Sequence, residues 1–116
     1  MKILFILNDP SYGSERSYNG LRLAGSVSKQ EGVEVFIFMM GDAVSCAKSG
    51  QKVPQGYYNI EIMVKNVLSN KGKVCVCGTC IDARGITAGE LMAGVEKSTL
   101  SHLTNWTMEA EKILVF

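Results

Sequence analysis

The sequence predicts an α/β fold, a mainly parallel sheet with helices on both faces. Three observations lead there. Short runs of continuous apolar residues recur at Ile3 to Leu7, Val33 to Met40 and Val74 to Cys77, as expected of parallel strands covered on both sides. Between them lie turn clusters and segments of helical periodicity,. Strand and helix signals alternate to the end of the chain, the order that helical crossovers between parallel strands require. At 116 residues the chain fits one domain, 1–116, with enough length for a real core,.

Ile3 to Leu7 is the first strand. The turn residues Asn8-Asp9-Pro10-Ser11-Tyr12-Gly13-Ser14 end it, and Ser14 is the expected N-cap of a helix reaching about Gln30,. That helix would turn Tyr18, Leu21, Gly25 and Ser28 to one side, flanked by Ala24 and Val27, so that small residues allow close packing on a sheet. Gly32 stops it, and Val33 to Met40 follows as a second, mostly buried strand,. Residues 41–56 are the least regular stretch, with a turn or two of helix at Ala43 to Lys48; loops of this length commonly line a site or move. Tyr57 to Asn70 carries Ile60, Met63, Val64, Val67 and Leu68 at helical spacing, one apolar stripe against a polar face,. Asn70-Lys71-Gly72 ends that helix and feeds the strand Val74 to Cys77. Ile81 to Ile86 reads as a connection, and Thr87 to Met92 as a short capped helix limited by Gly89 and Gly94,. Val95 to Thr99 is a brief extended piece. A last helix from Ser98 or Thr99 turns Leu100, Leu103, Trp106 or Thr107, and Ala110 inward, and Lys112 to Phe116 closes the chain as a strand.

Lys and Arg number 12 against 11 Asp and Glu, with no run of like charge, which argues against a nucleic-acid or anionic-membrane surface,. Apolar residues make up 47% of the chain, but no run approaches the roughly 20 residues of a spanning helix. Met1 to Leu7 is too short for the apolar part of a signal peptide and no small-residue cleavage site follows. Three of the four cysteines cluster, which is not a spaced disulfide framework, so a cytoplasmic location with free thiols is expected,.

Chemistry concentrates in Val74-Cys75-Val76-Cys77-Gly78-Thr79-Cys80, where an apolar strand enters a glycine-containing turn. In an open α/β sheet the carboxyl ends of the strands line a crevice. Alternation puts Cys75 and Cys77 on one face of the strand and leaves Cys80 in the turn beyond. Cys75 reads as a small core residue. Cys77, followed by the amides of Gly78 and Thr79, is the expected nucleophile, because N–H donors favour a thiolate over a thiol. Cys80 is a second reactive thiol on the same edge. Arg84 is a candidate to bring positive charge to that rim, and Cys46 either reaches the edge from its irregular loop or is incidental.

Competing chemistries fit less well. Zinc is commonly held by two separated Cys-x-x-Cys pairs, and only one is present,. Against a thioredoxin-like exchanger stand the lack of any proline after the dithiol and the glycines that interrupt the residues after Cys80,. The glycine spacings miss the phosphate-cradling patterns. His102, the sole histidine, reads as a surface or boundary residue. Neither a metal nor a cofactor is expected.

Taken together, Pro10-Ser11-Tyr12-Gly13-Ser14, Gly41-Asp42-Ala43-Val44, Val76-Cys77-Gly78-Thr79-Cys80 with Ala83-Arg84-Gly85-Ile86, and the closing Glu109-Ala110-Glu111-Lys112-Ile113-Leu114-Val115-Phe116 resemble the DsrE/DsrF-like family over essentially the whole chain. The resemblance implies a three-layer α/β sandwich around a mainly parallel five-stranded sheet. It also implies assembly into trimers or hexamers, as homo-oligomers or from related subunits. In the sulfur-relay members of that family a cysteine ending the third strand carries a persulfide, eight residues before the glycine of an Arg-Gly-hydrophobic motif. That register falls on Cys77, counted back from Gly85, whereas Cys80 is outside the relay pattern. The function implied is a cytoplasmic sulfurtransferase-type carrier. It would take sulfur from a donor protein onto Cys77, with the Gly78 and Thr79 amides holding the anion, and pass it to an acceptor protein. A non-enzymatic oligomeric assembly or redox-sensing module with structural cysteines is the alternative, and metal binding by the cysteine cluster a third possibility.

Overall fold

The computed structural model describes residues 1–116. Five strands, β1 Lys2–Leu7, β2 Glu34–Met39, β3 Lys73–Cys77, β4 Val95–Ser98 and β5 Lys112–Val115, form one sheet in the order β4-β3-β2-β1-β5. Every pairing is parallel, so the sheet is wholly rather than mainly parallel. Helices α1 Arg16–Val27, α2 Ile60–Ser69, α3 Gly78–Ala83 and α4 Leu100–Glu109 make the crossovers, with short 3-10 helices at Gly41–Ala47 and Ala88–Glu90. None of the helices is long and apolar enough to cross a membrane.

Strand order dictates the layers. β1 to β4 step across the sheet in one direction, so crossovers of one hand keep α1, α2 and α3 on one face; β5 returns to the far side of β1 and sends α4 over the other,. Packing follows that division. Phe5, Ile37, Val74 and Val76 join Leu21 of α1, Val64 of α2 and Ile81 of α3 in the larger cluster. Leu4, Phe36, Phe38 and Cys75 meet Leu103 and Trp106 of α4 in the smaller one. Alternate residues of each strand thus feed alternate cores, which is why the strands read as unbroken apolar runs. Trp106 anchors α4, stacking on Phe36 at 4.8 Å between ring centroids and meeting Phe38 edge-on at 6.2 Å,. The result is a three-layer α/β sandwich.

Several elements depart from the sequence expectations for local reasons. Ser14 is not the cap of α1: its hydroxyl donates to Asp9 Oδ2 at 2.6 Å, and Glu15 occupies the N-cap without a side-chain bond. The buried stripe of α1 is Ser17, Gly20, Leu21 and Ala24, rotated from the expected one because Gly20 is the point of closest approach. A Cβ there would lie 2.8 Å from Leu7 Cδ2 and 3.0 Å from the Phe116 ring. α1 ends at Val27 rather than near Gln30, and α2 begins at Ile60 rather than Tyr57, where the Asn59 side chain accepts the Ile62 amide. Leu100, expected inward, is 68% exposed on the first turn of α4. Residues 78–83, read in part as a connection, form α3.

That last difference positions the chemistry. β3 and β4 are neighbours in the sheet, yet the chain leaves β3 through α3 toward one face and β4 through α4 toward the other. Such a reversal opens a crevice at the carboxyl ends of the two strands. Their terminal pair is Cys77 with Ser98.

Candidate functional site

A cleft of about 290 Å³ occupies this switch point. Its floor is Cys77, Gly78 and Thr79 at the β3–α3 corner; Lys97, Ser98 and Thr99 at the end of β4 form one wall, and Phe38, Met40 and Leu100 supply apolar surface. Gly78 is what lets the two walls meet. A Cβ on it would lie 2.9 Å from Lys97 Cε and 3.0 Å from the Ser98 carbonyl oxygen. Across the mouth, Lys97 Nζ pairs with Asp82 Oδ1 at 3.1 Å. Behind the wall, Ser98 Oγ and His102 Nδ1 are 2.8 Å apart, and the His102 ring lies edge-on to Trp106.

Cys77 is the half-buried N-cap of α3 and its sulfur lies 3.2 Å from Thr79 Oγ1. Desolvation pushes its pKa up, but hydrogen bonds from the Cys80 thiol, the Thr79 hydroxyl and the amides of Cys80 and Thr79 outweigh it, and the net shift is below the ordinary 9.0,. The supporting amides are therefore those of Thr79 and Cys80, and not that of Gly78. Cys80 shifts the opposite way. Burial raises it, as do its hydrogen bond to Cys77 and the charge there, against the weaker pull of the Gly41 amide and the Arg84 charge. The environment of the pair thus favours the thiolate at Cys77 and the thiol at Cys80.

Cys80 is held from behind. The Gly41 N–H donates to its sulfur at 3.2 Å, and Gly41 reaches that position with a left-handed φ of 54°, a conformation glycine adopts without steric cost. Arg84 stands beside it, donating from Nε and Nη2 to Asp42 Oδ1 at 3.1 and 2.8 Å and from Nη1 to the Cys80 carbonyl at 3.1 Å. Its charge is largely committed to Asp42, so Arg84 ties α3 to the 3-10 helix of residues 41–47 more than it lines the cleft.

The structure separates the other two thiols from Cys77 chemistry. Cys75 is 3% exposed and packs in the smaller cluster; burial raises its pKa despite a hydrogen bond with Ser98. Cys46 is fully buried in the larger cluster near the Asp9 carbonyl and Ser17, and burial pushes its thiol up to about 12. It does not line the cleft. No three His, Cys, Asp or Glu side chains converge as metal ligands would,. Lys97, Asp82, Ser98, Phe38 and Met40 were not legible as site residues. Lys97 and Ser98 reach the site through the pairing of β4 with β3, Phe38 and Met40 from β2 and its end, and Asp82 through α3; only Thr99, which caps α4 by accepting the His102 amide, had a local signal.

The sequence matches the DsrE/DsrF-like family over residues 1–116. Protein YchN of Escherichia coli (strain K12) is 41% identical over 116 residues, covering 99% of this chain and 98% of that protein. Uncharacterized protein MJ0989 of Methanocaldococcus jannaschii is 34% identical over 116 residues and 100% of both chains. The crystal structure of the Escherichia coli YchN protein superposes with a TM-score of 0.93, covering 99% of this chain and 98% of that one. A protein of unknown function from Methanobacterium thermoautotrophicum, MTH1491, shares the fold at 14% identity with a TM-score of 0.79, covering 99% of this chain and 98% of that one. On the strength of a family match along its whole length and relatives of this identity, the chain belongs to the DsrE/DsrF-like family.

Proposed function

We propose that this protein is a sulfur carrier in which the Cys77 thiolate accepts sulfur from a donor protein and hands it to an acceptor protein. In the first step Cys77 Sγ attacks the outer sulfur of a donor persulfide, R–S–SH, forming Cys77–S–SH and releasing R–S⁻. In the second, an acceptor thiolate attacks that same outer sulfur, leaves with it as R′–S–SH and returns the Cys77 thiolate. The oxidation level of the transferred sulfur is unchanged, so no redox cofactor is called for.

The observation that carries this reading is the placement of Cys77: half-exposed, on the floor of a cleft, its sulfur 3.2 Å from the Thr79 hydroxyl and its pKa below the ordinary value. Reactive cysteines sit in microenvironments of this kind, whereas structural ones are buried and inert like Cys46. The register of Cys77 against Gly85, which resembles that of the persulfide-bearing cysteine in relay members of the family, supports the same residue. Thr79 holds the anion, Gly78 keeps β4 close, and Arg84 fixes α3. The free thiols suit a reducing compartment such as the cytoplasm,. We further propose assembly with copies of itself or with related subunits as trimers or hexamers. The exposed apolar side chains Met108, Ile113 and Val115 of α4 and β5 support this part of the reading,.

Intact-mass measurement after incubation with a persulfide donor tests the proposal. The wild type and Cys75→Ala are expected to react and Cys77→Ser to remain unchanged; sulfur loading that survives Cys77→Ser removes the assignment.

A further inference from the structure

We infer that Cys80 is a resolving thiol, which attacks the sulfur atom on which Cys77 carries its cargo, expels the cargo as hydrosulfide and closes a Cys77–Cys80 disulfide. The inference rests on the sulfur-carrier reading of Cys77 and adds a second reaction to it, the reductive discharge of a persulfide.

The two thiols reach one sheet edge from opposite sides. Cys77 packs with the smaller cluster and lines the cleft. Cys80, in the first turn of α3, packs against the larger cluster on the other face and is not part of the cleft wall. Cys77 is nevertheless the N-cap of α3 and Cys80 its third residue, so the two thiols stand one helical turn apart at the start of the same helix. A sulfur added to Cys77 finds open space in the cleft, on the side away from Cys80. Cys80 lies off that cleft, at the Cys-x-x-Cys spacing that lets one thiol attack the sulfur of the other,. The Gly41 amide, 3.2 Å from Cys80 Sγ, is in place to support that sulfur as its proton leaves.

The step balances as Cys80–S⁻ plus Cys77–S–SH giving Cys77–S–S–Cys80 plus HS⁻. The bond from Cys77 Sγ to the outer sulfur breaks, and a bond between the two cysteine sulfurs forms. The outer sulfur gains two electrons and leaves as hydrosulfide; the cysteines supply them in becoming a disulfide, and the Cys80 proton passes to solvent. An external dithiol, oxidised to its own disulfide, resets the pair by exchange. A carried sulfur therefore has two fates, acceptor protein or discharge, and the oxidised pair cannot be loaded again until it is reduced.

The test mixes the reduced full chain with a stoichiometric amount of glutathione persulfide and follows sulfide release and protein mass. Wild type is expected to release sulfide and lose the mass of two hydrogens. Cys80→Ser is expected to retain the mass of one added sulfur while its sulfide release falls at least about tenfold, the thiol needed for displacement being gone. Cys80→Ala serves as the second variant, since a serine hydroxyl can still meet the Gly41 amide. In a Cys75→Ala background the tryptic peptide spanning residues 74–84 holds only Cys77 and Cys80, and its disulfide assigns the bond. Wild type that holds its sulfur as long as Cys80→Ser does, with no disulfide in that peptide, overturns the inference and leaves the carrier reading standing. Absence of any reaction in both proteins overturns the two together.

Discussion

Gly78→Ala perturbs the site by one methyl group and its effect can be worked out from the structure. The new Cβ would lie 2.9 Å from Lys97 Cε, 3.3 Å from Lys97 Cγ and 3.0 Å from the Ser98 carbonyl oxygen. Contacts between carbons settle at about 3.5–4.0 Å. The lysine side chain is flexible and swings away at the cost of its exposed pair with Asp82, which is worth little,. The Ser98 carbonyl is backbone beside the terminal Cys77 pairing, so relief there requires β4 to move from β3. Overpacking of this kind costs about 1–3 kcal/mol, offset by up to about 1 kcal/mol from replacing a glycine in the first turn of a helix. The net is a loss of about 1 kcal/mol, or roughly 4 °C in Tm for a chain of this size. Because the displaced backbone is also the floor of the cleft, sulfur loading of Cys77 should slow by about tenfold, in proportion to a misplacement of a few tenths of an ångström. Thermal unfolding and loading kinetics read both effects. Adding Lys97→Ala should restore only part of each, since the carbonyl contact remains. A Gly78→Ala protein that is as stable as wild type and loads as fast would refute the reasoning, and so would complete rescue by Lys97→Ala.

Three further outcomes follow from the thiol environments. Alkylation of Cys77 should rise with pH through a midpoint below 9.0, and Cys80→Ala should move that midpoint upward, because the Cys80 thiol is the largest stabiliser of the Cys77 thiolate,; peptide mass spectrometry across pH reads both. Arg84→Ala should raise the alkylation midpoint of Cys80, whereas Arg84→Lys, which keeps the charge, should raise it less. Cys46 should make the fold sensitive to alkali. Its folded thiol keeps its proton to about 12 while the unfolded one loses it near 9.0, so its contribution is complete below pH 9 and declines as pH rises toward 12. The slope is about 1.4 kcal/mol per pH unit. Urea unfolding should show the stability gap between wild type and Cys46→Ala narrowing over that range; a constant gap contradicts the buried, protonated thiol.

The strands were legible because a parallel sheet buried on two faces leaves continuous apolar runs, and Ile3 to Leu7, Val33 to Met40 and Val74 to Cys77 each lie within a residue or so of an observed strand. Cys77 was legible for a related reason: an apolar run ending at Cys-Gly marks a strand end, where α/β sheets place chemistry. α3 was not. Gly-Thr-Cys-Ile-Asp-Ala is too short to display a helical period, buries only Gly78 and Ile81, and opens with the weakest non-proline helix former,. Ser14 shows a different limit, since a hydroxyl suited to capping α1 is taken by a carboxylate five residues earlier. The opposed shifts of Cys77 and Cys80 depend on burial and on the turn that α3 imposes between them, and the Gly41 amide that tempers the Cys80 shift comes from thirty-nine residues away. The cleft walls were hidden for the same reason: strand order, invisible in any local pattern, puts Ser98 beside Cys77.

Cys77 Sγ is the atom proposed to carry sulfur. That assignment is tested most directly by fragmenting the peptide of residues 74–84 from Cys80→Ser after persulfide treatment and alkylation. One added sulfur confined to Cys77 is expected, with none on Cys75. Sulfur on Cys75, or a peptide left without added sulfur while Cys46 is modified, would contradict it.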